Sequence, residues 1–384
     1  MSAMGSTDEV RIGIVGSGQI AGAHSAAYRT VAGTYPEAPR AVALAAVADV
    51  DRERAGALAQ AWGWSRAEVD WRAITQADDV DLVDICVPNA LHAEIAIDAL
   101  AHGKHVVCEK PLASDWSSAR AMVQAADAAD RVAQVCFYYR VWPAVTWAAE
   151  LVSSGRLGRP RHFRGWMLQD YAANPAHDLA WRARIGESGA GALGDLGSHV
   201  IDLARSLCGD IAQVCGTLHT LVDRGPTAAG IDDLAAMLVR FEDGTSGVLE
   251  ASWALRGHHC DLGFDLACEN GGVRFSWERF NEVQVLEGDA ADPTNGYRVV
   301  HIGKGQPDVD RFVSVPGQGM GYRDTFTIGV SRALTAIAAG QSAVAPSFAD
   351  GLAAALVVDA TQRSARDGGW VDVARPDAAG AAAG

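Results

Sequence analysis

The chain opens with short apolar runs that alternate with longer stretches of helical periodicity. Residues 10–15 are an apolar run ending in a glycine-rich turn, and residues 19–31 are alanine-rich and helical in pattern. The alternation continues through apolar 42–48, helical 52–62 and apolar 82–87. Leu91, Ile95 and Ala99 then recur at a spacing of four, the apolar stripe of a helix. Apolar 104–108, helical 114–129 and apolar 132–137 complete the series. Continuously apolar strands separated by helices predict a parallel sheet covered on both faces.

The pattern changes after about Tyr139. Residues 141–154 read as a helix, 161–171 as a strand and 186–197 as a glycine-rich stretch leading into a helix that ends near Leu207. From 211 to about 313, strands follow one another across turns such as Glu242-Asp243-Gly244 and Asn270-Gly271-Gly272, predicting a large, mainly antiparallel sheet. Two alanine-rich helices, near 325–339 and 348–366, follow. The expected fold class is α/β: a doubly wound parallel sheet over 1–138, then an α+β domain with a large open sheet over 139–374. The C-terminal helix is a candidate to pack back on the first domain, and 375–384 reads as a disordered tail.

A length of 384 residues suits two such domains. No apolar run approaches the roughly 20 residues that cross a bilayer. The net charge of −15, with no basic cluster, argues against nucleic acid and anionic membranes as partners. Residues 1–9 carry neither a basic flank nor an apolar segment, so no signal peptide is expected and a cytoplasmic location follows. The seven cysteines lack CxxC spacing and several sit in apolar runs, which predicts buried free thiols in a reducing compartment.

Gly16-Ser17-Gly18-Gln19-Ile20-Ala21 follows the first strand and opens the first helix, in the form G-x-G-x-x-A. Gly16 allows a tight turn, Gly18 lets backbone approach a diphosphate, and Ala21 keeps helix and strand close. Gly16, Gly18, Gln19 and Ile20 are thus candidate dinucleotide contacts at a helix N-terminus. Asp49 ends the second strand, where a carboxylate accepts the ribose hydroxyls and repels a 2′-phosphate, favouring NAD over NADP. Its distance from the glycines exceeds the usual roughly 20 residues, and the turn-rich insert 33–40 accounts for that. Asp51 is an alternative acid, Arg52 could tolerate a phosphate, and Asp49 could instead be a helix N-cap. Val87, Pro88 and Asn89 follow the third strand, with His92 a turn into the next helix; Asn89 reads equally as a cofactor contact or a helix cap.

Cys108-Glu109-Lys110-Pro111 ends the fourth strand. With the G-x-G-x-x-A start, Val87-Pro88-Asn89-Ala90-Leu91-His92 and Gly194-Asp195-Leu196-Gly197-Ser198-His199, it resembles the glucose–fructose oxidoreductase/inositol dehydrogenase/MocA (Gfo/Idh/MocA) family across most of the chain. That resemblance implies a Rossmann domain followed by an open-sheet domain, and an NAD(P)-dependent sugar or polyol dehydrogenase. It implies that Lys110 is the catalytic lysine, that Glu109 lies near the nicotinamide ribose, and that the Lys110–Pro111 peptide is cis. Tyr139 and Arg140 resemble the family's domain-junction motif, with Arg140 a candidate cofactor contact.

The chemistry also follows from residue types. Oxidising an alcohol sends a hydride to the nicotinamide and requires an acceptor for the hydroxyl proton. Lys110 at a strand end beside the cofactor can accept that proton or hold the hydroxyl, unless it forms only a surface ion pair with Glu109. On the later helix, Leu196, Val200, Leu203 and Leu207 form a core stripe, while Asp195, His199 and Asp202 form a polar one. His199 is then a base or relay and Asp195 a substrate ligand. The competing readings are a helix cap, a core histidine or a metal pair; no further ligand cluster accompanies the pair, so no metal is expected. Tyr139, Trp181 and Arg182, with Gln169, Asp170 and Tyr171 at a strand end, suit a sugar pocket, although Trp181 could be core and Arg182 could simply pair with an acid.

The sequence therefore predicts a two-domain dehydrogenase that uses NAD. Lys110, His199 and Asp195 would act on a secondary hydroxyl of a sugar, glycoside or cyclic polyol, with Lys110 and His199 meeting at one alcohol. The open sheet predicts a homodimer or homotetramer. A redox-cycling glycosidase of the same family, or a non-catalytic NAD/sugar sensor, are the alternatives.

Overall fold

The computed structural model describes residues 9–39, 41–228, 230–288, 291–315 and 317–375. The polar start (residues 1–8) and the expected tail beyond 375 lie outside the described residues. The elements run β1 (Glu9–Val15), α1 (Gln19–Thr34), β2 (Ala41–Ala48), α2 (Arg52–Trp62), β3 (Arg66–Glu68), α3 (Arg72–Thr75), β4 (Leu82–Ile85), α4 (His92–Ala101), β5 (His105–Cys108), α5 (Trp116–Ala129) and β6 (Ala133–Val135). Then come α6 (Pro143–Ser153), β7 (Pro160–Leu168), α7 (Ile185–Ser188), α8 (Ser198–Cys208), β8 (Ile211–His219), β9 (Leu234–Phe241), β10 (Ser246–Ser252) and β11 (Asp261–Cys268). Last are β12 (Gly271–Ser276), β13 (Glu282–Glu287), β14 (Arg298–His301), α9 (Tyr322–Ala338), α10 (Phe348–Asp367) and β15 (Val371–Asp372). They form two compact units: 1–138 with 321–352, and 139–320 with 353–384.

The first unit holds a six-stranded sheet in the order β3-β2-β1-β4-β5-β6, parallel throughout. The order reverses between β1 and β4, so the loops after those strands diverge and leave a crevice at the sheet's C-terminal edge. Ile12, Ile14, Val47, Leu82, Val83, Ile85, Val106 and Val107 are all fully buried between the helical layers. Each such side chain contributes roughly 1.5–3 kcal/mol on leaving water, which explains why these strands are apolar on both faces. The exception is Asp84 in β4, a buried carboxylate in an otherwise aliphatic strand.

Helix α9 packs against α1 within this unit. Its Gly329 lies so close to Tyr138 that a Cβ would fall 2.3 Å from the ring, and the Gly329 carbonyl accepts from Gln134 Nε2 at 2.9 Å.

The second unit is built on a nine-stranded sheet ordered β14-β13-β12-β11-β7-β10-β9-β8-β15. Neighbours are antiparallel except β7 and β10, which run parallel. Strand β9 shows the two-faced logic: Ala235, Met237, Val239 and Phe241 are buried, while Leu238 and Arg240 between them are exposed. Helix α8 packs against β7 and β10, with Val200, Leu203 and Leu207 buried as the stripe predicted.

Several expectations need correction. Leu91 is 41% exposed, because α4 begins one residue later and turns that side chain outward. The short edge strand β3 carries arginine and glutamate and offered no apolar run to recognise. Helix α1 continues to Thr34, which shortens the turn-rich insert. The unbroken succession of strands that starts near 211 ends at His301, well before 313, and one further strand, β15, joins the same sheet from beyond α10. Only Cys108 and Cys136 are fully buried; the other five cysteines are free but partly accessible.

Gly329→Ala is expected to destabilise the first unit by about 1–3 kcal/mol through overpacking against Tyr138. A lowered urea midpoint with unchanged far-ultraviolet dichroism is the result that checks it.

Candidate active site

The C-terminal edge of the parallel sheet collects the predicted dinucleotide residues. Gly16 has φ +103°, and a Cβ on it would stand 2.2 Å from the Cys86 carbonyl oxygen, so two independent constraints demand glycine. Its N–H donates to the Ala48 carbonyl at 2.8 Å, tying the turn to β2. Gly18, at the start of α1, has an ordinary φ of −72°, and a Cβ there would meet no protein atom within 4 Å. Gln19 is exposed and Ile20 half-buried in the first turn of α1.

Asp49 is no helix cap. Its Oδ2 accepts the Ser17 N–H at 2.9 Å and the Ser17 hydroxyl at 2.5 Å, and its Oδ1 accepts the Asp51 N–H at 2.9 Å. Asp51 is the cap of α2, accepting the N–H groups of Glu53 and Arg54. The second strand's acid is therefore bound to the glycine turn, whereas the alternative acid is committed to a helix.

Asn89 is buried and opens a single 3-10 turn ahead of α4, which has no side-chain cap. The half-buried Val87 and Pro88 precede it. His92 does not face the crevice. It is fully buried, its Nε2 is 2.9 Å from the Val87 carbonyl and its Nδ1 is 3.1 Å from that of Pro111. Burial lowers its pKa, and the ring lies between the carbonyls of the loop after β4 and the loop after β5. The Lys110–Pro111 peptide is cis.

Behind the edge lies a buried polar chain. His24 of α1 holds Asp84 Oδ2 at 2.7 Å through Nδ1 and Glu109 Oε1 at 3.2 Å through Nε2. Tyr28 donates to Asp84 Oδ2 at 2.8 Å, and Glu109 Oε2 accepts the Lys110 N–H at 3.0 Å. Glu109 is thus committed inward.

In the second unit, residues 193–197 form one wide π-helical turn that runs into α8. Asp232 shapes it: its carboxylate accepts the Gly191 and Leu193 N–H groups, each at 2.7 Å, and its carbonyl accepts that of Ala192 at 2.8 Å. A Cβ on Gly191 would fall 2.1 Å from that carbonyl oxygen.

Asp195 Oδ2 accepts from the Tyr171 hydroxyl at 3.3 Å and from Arg182 Nε at 3.2 Å. Burial, together with the Asp195 charge, pushes the Tyr171 phenol far up, so it stays a donor. Arg182 also lies over the Trp181 ring, 4.5 Å from its centroid, and Trp181 is half-buried rather than core.

His199 is 7% exposed and meets the Tyr139 ring edge-on at 4.7 Å, and Tyr139 also meets Trp277 edge-on at 4.8 Å. Arg140 Nη1 is 3.2 Å from Asp202 Oδ1. The Gln169 amide reaches Cys260 Sγ at 3.7 Å.

So the first unit gathers Gly16, Gly18, Asp49, Asn89, Glu109 and Lys110 at one sheet edge, and the second gathers Tyr139, Tyr171, Arg182, Asp195 and His199 around the start of α8. Sequence reading missed His24, Asp84 and Asp232, and it placed Tyr171 in the sugar pocket without foreseeing its bond to Asp195. Asp84 could have been flagged, since a carboxylate inside an aliphatic strand needs a buried partner. The Asp232 role depends on a non-local contact and left no local signal.

A dinucleotide-binding parallel sheet joined to an open-sheet unit with an Asp/His helix defines a class of two-domain oxidoreductases. Residues 10–137 match the family model described as "Oxidoreductase family, NAD-binding Rossmann fold", and residues 145–274 match the "GFO/IDH/MocA C-terminal domain". The chain belongs to the Gfo/Idh/MocA oxidoreductase family. It is 36% identical to a levoglucosan dehydrogenase of Pseudarthrobacter phenanthrenivorans over 95% of this chain and 98% of that protein. It is 27% identical to an inositol 2-dehydrogenase of Rhizobium meliloti over 95% and 99%. A solved levoglucosan dehydrogenase in complex with NADH and levoglucosan superposes with a TM-score of 0.91 at 38% identity, covering 96% of this chain and all of that one.

Gly16→Ala is expected to cost about 1–3 kcal/mol, because strain and a backbone clash coincide. Gly18→Ala should stay within about 0.5 kcal/mol of the parent. Thermal or urea unfolding of the two variants side by side checks the contrast.

Proposed function

We propose that this chain is an NAD-dependent dehydrogenase that oxidises a secondary hydroxyl of a cyclic sugar or polyol. One observation carries the reading: Lys110 follows directly on Glu109, a carboxylate locked into the buried chain at the edge where Gly16 and Gly18 open α1. Neither strain nor packing within the protein demands glycine at 18, so close approach of a diphosphate supplies the reason. Asp49 beside that turn accepts ribose hydroxyls and disfavours a 2′-phosphate, selecting NAD over NADP.

NAD supplies the hydride acceptor when bound. Lys110 receives the hydroxyl proton or holds the hydroxyl for transfer. In the second unit, Asp195 grips substrate hydroxyls, and Tyr171 and Arg182 fix its carboxylate. His199, oriented by Tyr139, takes part in proton handling. Trp181 and Gln169 are assigned to the sugar pocket and Arg140 to cofactor binding. Relatives named for levoglucosan and inositol support a rigid cyclic polyol or anhydrosugar as substrate.

The partly exposed face of the large sheet, with Arg164, Trp166, Asp265 and Arg274 around a hollow, is the proposed surface of a homodimer or homotetramer. Free cysteines suit a reducing compartment, and the cytoplasm is the proposed location. Among the described residues, no helix is long and apolar enough to cross a membrane.

A panel of anhydrosugars, free sugars and cyclitols with NAD should yield at least one compound that accumulates reduced nicotinamide in proportion to product. Aglycone release from glycosides without such accumulation would assign redox-cycling hydrolysis instead. Lys110→Ala should lower kcat by about 100- to 10,000-fold while NADH still binds. Gly18→Ala should weaken NADH binding without loss of stability; isothermal titration reads both.

A further inference from the structure

The fully buried imidazole of His24 stands between two carboxylates, with Asp84 at 2.7 Å on Nδ1 and Glu109 at 3.2 Å on Nε2. A neutral imidazole has one N–H, so it could satisfy only one of two ionised partners and would turn a lone pair towards the other. An imidazolium donates to both. Asp84 also accepts from the Tyr28 hydroxyl at 2.8 Å and the Cys86 thiol at 3.5 Å, so donors surround it. Glu109 passes the order outward by accepting the Lys110 N–H on its second oxygen at 3.0 Å. Aromatic rings seal the histidine: Tyr138 at 5.7 Å and Phe326 at 5.4 Å between centroids.

We infer that His24 is a positioning residue of the dehydrogenase: its imidazolium bridges Asp84 and Glu109, and through Glu109 it fixes the backbone that presents Lys110. The kinetic consequence rests on the proposed function above; the charge state does not.

The electrostatics agree with the geometry. Burial opposes charge on His24, but Asp84 beside it wins and raises its pKa well above 6.5. Burial likewise pushes Glu109 up, but the bond to His24 outweighs it and holds the carboxyl below its usual range. The stabilisation due to His24 is therefore complete below its ordinary pKa and lost as pH rises through the raised value. That due to Glu109 is present above the ordinary carboxylate range and lost as pH falls through the lowered value. Between these limits both charges persist.

The cluster His24, Asp84 and Cys86, and its neighbour His24, Glu109 and Cys136, also have the composition of metal ligand sets. The ring nitrogens, however, sit at hydrogen-bond distance from carboxylate oxygens. A protonated ring cannot ligate, so the two readings exclude each other.

Two measurements on the full chain test the inference. With 15N-labelled histidine, one of the 11 histidines should keep both ring protons beyond about pH 8, where ordinary histidines are neutral, and His24→Gln should remove that signal. A neutral His24 at pH 7, or a stoichiometric metal in the purified protein, overturns the inference whatever the enzyme's activity.

The second measurement is kinetic. His24→Gln leaves two buried carboxylates facing a neutral amide and should lower the thermal midpoint. Adding Asp84→Asn removes one charge and should restore most of that midpoint. It should not restore Glu109's partner, so kcat at saturating NAD and substrate should stay roughly 10- to 100-fold down. Parental kcat in the double variant would show that the triad serves stability alone and overturns the positioning role. If neither variant folds, the protonation state of His24 in the intact chain decides.

Discussion

The passage of the Gly16 backbone beneath the Cys86 carbonyl is the contact on which the first unit turns. The ends of β1 and β4 must approach there, because this is where the strand order reverses and the crevice opens. Cys86 N–H to the Val15 carbonyl at 2.7 Å continues the ladder into the turn, and Gly16 N–H to Ala48 at 2.8 Å binds the other neighbour. From that fixed point α1 starts towards the crevice, Ser17 reaches Asp49, and His24 arrives two turns later beside Asp84. Stability and chemistry therefore share one geometry: the same turn that closes the sheet aims the helix amides and delivers the histidine behind Glu109.

The second unit solves a parallel problem with a carboxylate added to a close glycine contact, that of Gly191 with Asp232. Asp232 gathers two amides of the glycine-rich segment, and the π turn that results carries Asp195 and leads into His199. Burial raises the Asp232 pKa while these two amide bonds oppose it, an arrangement a surface loop would not need. Its neighbour Asp233 is buried too and holds Arg224 Nη1 at 2.7 Å and Trp253 Nε1 at 2.6 Å. Two adjacent carboxylates thus organise the loops at one end of the large sheet.

What the sequence disclosed follows from how local each signal is. The aliphatic strands, the stripe Val200, Leu203 and Leu207, and the Gly16–Ala21 turn are set by neighbours within a few residues, so their patterns can be read directly. Lys110, Asp195 and His199 stood out because reactive types sit at a strand end and on a polar helix face. His92 misled because a histidine after a strand reads as a ligand, whereas here it is buried between two carbonyls. Leu91 misled because a spacing of four does not say where a helix starts. His24 and Asp84 are 60 residues apart and meet only across the helix–sheet interface, and Asp232 lies 41 residues from Gly191. Such pairings become visible only once the chain is folded.

The account stands on direct hydride transfer from a carbinol carbon to the nicotinamide, with the proton leaving separately through the protein. The most direct test uses a substrate found active, deuterated at that carbon, with mass analysis of the reduced cofactor. The account predicts that the deuterium appears in the nicotinamide ring and that turnover slows. Reduced cofactor without the label, formed while the substrate loses deuterium to water, would contradict it.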